Sequence, residues 1–171
     1  MNEYKVEKNR FSVKLFFPNK TVREGDIFLS YFAANHEGRE RVIDVLNQTD
    51  QFIPIHFKDE STQLINKNNI LMVTFLSDGK GTEDSVFTDS SIEVVIRLIN
   101  DICLEANVFY SLPTHACRVK DFLNQSFLDK PESFLELRKG QEVYLINKAY
   151  ILSVDEKGAA NGGDTWTSQN S

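Results

Sequence analysis

The phrase TQLINKNNILMV at residues 62–73 returns as VYLINKAYILSV at 143–154, and no other feature restricts the fold of this chain as strongly. Shifting the chain by 81 places FSVKLFF (11–17) on IEVVIRL (92–98), so that Val13 meets Val94, Leu15 meets Ile96 and Phe17 meets Leu98. Apolar residues alternating in this way predict a strand with one buried face. The same shift sets Asn19 on Asn100, Glu24 on Glu105, Phe28 on Phe109 and Ser30 on Ser111. DIFLSYF (26–32) and NVFYSL (107–112) read as second strands, rich in aromatic and aliphatic residues.

A shift of 77 then carries RVIDVLNQT (41–49) onto RVKDFLNQS (118–126). Val42, Val45 and Leu46, matched by Val119, Phe122 and Leu123, have the i, i+3, i+4 spacing of one helical face. Arg41 with Asp44, and Arg118 with Asp121, lie three apart, as helix-surface ion pairs do. Asn35 and Thr114 are the expected N-caps, and Asn47 and Asn124 suit left-handed helix-terminating positions. FIPIHF (52–57) and FLELRK (134–139) follow as strands, and the shift returns to 81 at the opening phrases. There Leu64, Ile65, Asn66 and Lys67 land on Leu145, Ile146, Asn147 and Lys148, each phrase reading as strand, polar bend at Asn-Lys, strand.

The expected architecture is therefore α+β and β-rich, a tandem duplication of a β-β-α-β-β unit packed as a pseudo-symmetric pair. A unit of about 64 residues buries only about 60% of its unfolded surface and is marginal alone, so the two are expected to share a core. Residues 1–76 form the first module and 92–155 the second. The segment 77–91 is read as an acidic linker and 156–171, small and polar, as a disordered tail whose Trp166 could serve a short docking segment.

The net charge of −6 is concentrated: residues 77–93 contribute −4 and residues 155–171 contribute −2, which leaves the remainder balanced. That balance weakens an argument from acidity against an anionic partner, yet supplies no basic stripe of the kind usual for nucleic-acid binders. With 13 Phe and 41% hydrophobic residues there is ample material for a core. No apolar run reaches membrane-spanning length, and MNEYKVEKNRF is too charged for a secretory signal, so the expectation is a cytoplasmic chain with no membrane partner.

Reaction chemistry finds little footing. His115 and Cys117 in THAC lack a second ligand pair, so no metal is expected. Cys103, among apolar neighbours, is expected to be a buried, inert thiol. SDGKGTED contains Gly-Lys without the spacing of a phosphate loop, and neither G-x-S-x-G nor G-x-G-x-x-G occurs. No catalytic residue and no cofactor is assigned.

The polar residues that recur are Arg41, Asp44, Asn47, Asn66 and Lys67, matched by Arg118, Asp121, Asn124, Asn147 and Lys148. Local roles (ion pair, cap, turn) account for them, and they are equally the candidates for a duplicated binding surface. The order R-V-x-D-x-L-N, a strand, then L-I-N-K-x-x-I-x-x-V resembles a small bacterial domain family of unknown function, over about residues 26–73 and 108–154. The closing phrase is also similar to the last two strands of the Sm-like RNA chaperones, over about a dozen residues each time. That likeness implies RNA-facing roles for Lys67 and Lys148 and strand edges that join subunits.

Three functions follow. The first is a non-enzymatic interaction or adaptor protein, binding a protein partner or itself through strand edges. The second is single-stranded nucleic-acid binding through the basic bends, disfavoured by the balanced charge. The third is a small-molecule sensor with an aromatic-lined cleft between the modules.

Overall fold

The computed structural model describes residues 8–77, 90–110, 121, 123–129 and 131–158. β1 (Lys8–Phe16) and β2 (Val22–Ser30) form an antiparallel hairpin paired from Lys8 with Ser30 to Phe16 with Val22. β2 starts four residues before the predicted DIFLSYF strand because the turn is tight. Phe17 N donates to Thr21 O at 3.0 Å, Lys20 takes φ 66°, and Asn19 Oδ1 accepts from Thr21 N at 3.1 Å. An Asn side chain bracing its own turn in this way lets polar residues run straight into a strand. β6 (Ser90–Leu98) and β7 (Cys103–Tyr110) make a second hairpin of the same form. Leu98 N donates to Ile102 O at 2.9 Å and Asp101 takes φ 67°.

α1 (Val42–Asn47) turns its Val42, Val45 and Leu46 face inward, as the spacing predicts. Its N-cap is Arg41 rather than Asn35, and Gln48, extended at ψ 161°, ends it. Neither Asn47 nor Asn124 adopts the left-handed backbone; among the described non-glycine residues only Lys20, Glu60 and Asp101 do. Where the second helix is expected, the described residues hold a π-helical turn at Leu123–Leu128. Thr114, Arg118, His115 and Cys117 lie outside the described residues.

β3 (Phe52–Phe57) and β4 (Thr62–Asn66) are followed by a 3-10 turn (Lys67–Asn69) and β5 (Met72–Leu76). In the second half β8 (Phe134–Lys139) and β9 (Glu142–Asn147) precede a 3-10 turn (Lys148–Tyr150) and β10 (Ile151–Glu156). Among the described residues each half has five strands: the bend at Asn-Lys separates two strands beyond the FIPIHF or FLELRK strand, as the closing phrases read, which is one strand more than the label β-β-α-β-β counts. Pro54, which has no N–H, stands where the β2–β3 pairing stops at Ile55 while β3–β4 continues. Residues 156–158, assigned to the expected tail, lie among the described residues. Glu156 closes β10, and Lys157 Nζ reaches Glu93 at 2.8 Å and Glu105 at 2.9 Å.

The ten strands among the described residues form one sheet, ordered β10-β6-β7-β8-β9-β5-β1-β2-β3-β4. The first five places read as the last five with each label raised by five. Registers follow suit. Val13 faces Gly25 and Val94 faces Ala106; Asp26 faces His56 and Asn107 faces Arg138. Gly25 is required where it stands, since a Cβ there would lie 2.7 Å from Ile55 Cγ2.

The two halves meet where β5 pairs with β9, Met72 opposite Ile146 through Leu76 opposite Glu142. Successive side chains on a strand point to opposite faces, so the seam feeds two cores. One core gathers Val13, Leu15, Ile27, Val45, Leu46 and Ile55 and is completed by Phe134, Val143 and Leu145 of the second half. The other gathers Val94, Ile96, Leu98, Val108, Leu123 and Leu137 and takes in Leu71 and Met72 of the first. Cys103 is exposed, contrary to expectation, because Leu104, Ala106 and Val108 occupy the inward positions of β7 and leave Cys103 on the other face.

Candidate interaction site: the seam and the open edges

At the end of α1, Asn47 reaches across the seam instead of closing its own helix. Its Nδ2 donates to Phe134 O at 3.1 Å and its Oδ1 accepts from Phe134 N at 2.9 Å. Lys67, expected on the surface, is only 6% exposed. Its Nζ donates to Gln48 O at 2.5 Å and to Val45 O at 3.5 Å, so it caps the carbonyls that the end of α1 leaves unsatisfied. Burial pulls its pKa below the ordinary lysine value, with Asp50 opposing. Lys148 does the same in the second half, donating to Leu128 O at 3.2 Å at the close of the π-helical turn. Both bends therefore point their lysines inward, at helix ends.

Asn66 and Asn147 begin the two 3-10 turns. Each accepts from the backbone two residues on, Asn68 N at 3.0 Å and Ala149 N at 3.1 Å. They differ in what else they do. Asn147 is 4% exposed; its Nδ2 donates to Ile70 O at 3.0 Å and its N–H to Leu71 O at 3.0 Å. Tyr150 Oη adds a bond to Asn68 O at 2.5 Å. Asn66 lies on the last strand of the sheet, and no group among the described residues meets its Nδ2.

Arg41 and Asp44 form the predicted pair, Nη2 to Oδ1 at 3.1 Å, and His36 Nε2 joins Asp44 Oδ2 at 2.8 Å. Burial raises the Asp44 pKa, but the bonds from Arg41 and His36 outweigh it and hold the carboxyl below its ordinary value. The bond to Asp44 raises His36 above the ordinary 6.5. The trio pins the 31–40 segment to α1. Asp121 is exposed, and its expected partner Arg118 lies outside the described residues.

Sequence reasoning passed over three apolar residues because alternation marks them as core. Phe52, Leu64 and Leu152 are 50%, 70% and 67% exposed, whereas Phe134, Leu145 and Leu71 are 1%, 0% and 0%. Leu64 and Leu152 are the 81-shifted counterparts of Leu145 and Leu71, and Phe52 faces Asn66 as Phe134 faces Asn147. What separates the members of each pair is strand order: of the leucines one stands at the seam and the other at a free end, and Phe134 and Phe52 lie one strand in from the seam and from the free end. A strand edge with unpaired N–H and C=O groups and bare leucines is a template for another strand.

An open cleft of about 1060 Å³ runs over one face of the sheet, with Arg10, Lys14, Glu24, His56, Phe75 and Tyr144 on its walls. Its charges are largely taken up among themselves: Glu24 by Lys58 and Lys14, Asp26 by Ser12 at 2.7 Å. Burial and the bond to Glu142 push the Tyr144 phenol up to about 12. Among the described residues no three His, Cys, Asp or Glu gather to hold a metal, and no helix is long and apolar enough to cross a membrane. Compared with protein-family models, curated proteins and solved structures, the chain matches none.

Proposed function

We propose that the chain is a tandem duplication that acts as a non-enzymatic, cytoplasmic interaction protein, binding a protein partner or itself through its strand edges. The two halves share strand order and register, which supports the duplication. The observation that carries the function is the contrast between Leu64 and Leu152, bare at the two ends of the sheet, and Leu145 and Leu71, buried at the seam. Fully burying a leucine is worth about 1.5–3 kcal/mol, so each edge holds unspent association energy. The nucleic-acid reading loses its support, because Lys67 and Lys148 spend their Nζ groups on helix carbonyls.

The test sets immobilised wild type beside a Leu64→Lys/Leu152→Lys double variant, each offered untagged chain and native lysate. Retention by the wild type alone is expected. Equal retention by both, or none by either, would refute the reading. A ligand held in the open cleft, which both halves line, is the second reading. A thermal shift with a small metabolite that disappears in a Lys14→Ala/Tyr144→Ala variant would support it.

A further inference from the structure

We infer that the partner of each open edge is the other open edge of a second copy of this chain, joined head to tail in the geometry of the seam. The inference rests on the duplication and edge reading above, and it adds occupant, polarity and register. At the seam β5 meets β9. The strand that stands in β5's place at one end of the sheet is β10, and the strand in β9's place at the other end is β4. The molecule therefore ends in the two halves of a contact that it already makes once internally.

The register transfers without adjustment. Val73 opposite Leu145 becomes Val154 opposite Leu64 of the next chain, and Thr74 opposite Tyr144 becomes Asp155 opposite Gln63. The polar locks transfer too. Asn66, whose Nδ2 meets no group among the described residues, comes to the carbonyl of Ile151 as Asn147 does to that of Ile70. Asn124, exposed on its π-helical turn, comes to the backbone of Phe52 as Asn47 does to that of Phe134. Leu64 and Phe52 would enter the core around Leu123, in the way that Leu145 and Phe134 complete the core around Leu46. β4 also carries no charged side chain from Thr62 to Asn66, the usual guard of a solvent edge. Because the two surfaces differ, the contact is heterologous and propagates into a closed ring or a filament instead of stopping at a dimer.

Light scattering after size exclusion, from micromolar to millimolar protein, tests this. Wild type is expected to grow past the dimer in multiples of 19.6 kDa. Leu64→Lys and Leu152→Lys, each confirmed folded by near-UV circular dichroism, are each expected to be monomeric. Mixed, they keep one good edge apiece and should form a 1:1 dimer that grows no further. In a chain with Cys103 and Cys117 replaced by serine, Leu64→Cys with Val154→Cys should oxidise to a covalent ladder, since opposed residues lie about 5 Å apart at Cβ. A wild type monomeric throughout, or a single variant that still dimerises with itself, overturns the inference. If that monomer still retains a lysate protein through the same two edges, the interaction reading survives and only the head-to-tail pairing falls.

Discussion

Leu145 and Leu64 are the same residue at matched places, and truncating each to alanine should have very different costs. Leu145 is fully buried among Val13, Leu15 and Phe134, so Leu145→Ala removes its burial and leaves a cavity that the ten-stranded sheet cannot collapse. Such truncations cost 2–5 kcal/mol, and about 3 kcal/mol is expected here. With a urea slope of about 2 kcal/mol per molar, the unfolding midpoint should fall by about 1.5 M. Leu64, 70% exposed in the single chain, has little to lose, and Leu64→Ala should stay within about 0.5 kcal/mol. The assay is urea unfolding followed by far-UV circular dichroism at low micromolar protein, where edge-to-edge association contributes least. Equal midpoint shifts would refute the reasoning, because they would mean that Leu145 does not close the interior of the other half.

The same logic applies to the asparagines at the helix ends: Asn47→Ala, which strands both backbone groups of Phe134, should cost about 2 kcal/mol, while Asn124→Ala should be near neutral in the monomer, both read from urea midpoints. Gly25→Ala should destabilise by about 1–3 kcal/mol through overpacking, because the new methyl meets Ile55 Cγ2 at 2.7 Å; differential scanning calorimetry would detect the lowered midpoint. His36 should titrate above 6.5 in its ring-proton NMR signal, and Asp44→Asn should bring it down; a wild-type midpoint at or below 6.5 would contradict the Asp44 contact. Its folded-state pKa is raised, so its contribution to stability is complete below pH 6.5 and fades as pH rises through the folded value.

Strand positions and the α1 face were legible because alternation and the i, i+3, i+4 pattern are local signals. Val13, Leu15, Val42, Val45 and Leu46 are buried as their spacing requires. Strand ends were less legible: β2 begins at Val22 because an Asn19 turn permits it, and Val22 to Gly25 look like loop in isolation. The direction of Lys67 was hidden for a related reason, since a lysine in a polar bend reads as exposed until a helix end is packed beneath it. Leu64 and Leu152 were the least legible of all. Their exposure depends on which strands are outermost, a property of sheet order that no single segment carries.

Amide hydrogen exchange along β5 and β9 asks most directly whether the ten strands are one cooperative sheet whose halves complete each other's cores. At low concentration the hydrogen-bonded amides of Met72–Leu76 and Glu142–Asn147 should exchange only through global unfolding, as slowly as those of β1, with β4 and β10 faster. Seam amides that exchange through a separate, lower-energy opening while β1 and β6 stay protected would contradict the account, since they would make the halves two independent bodies touching at an edge.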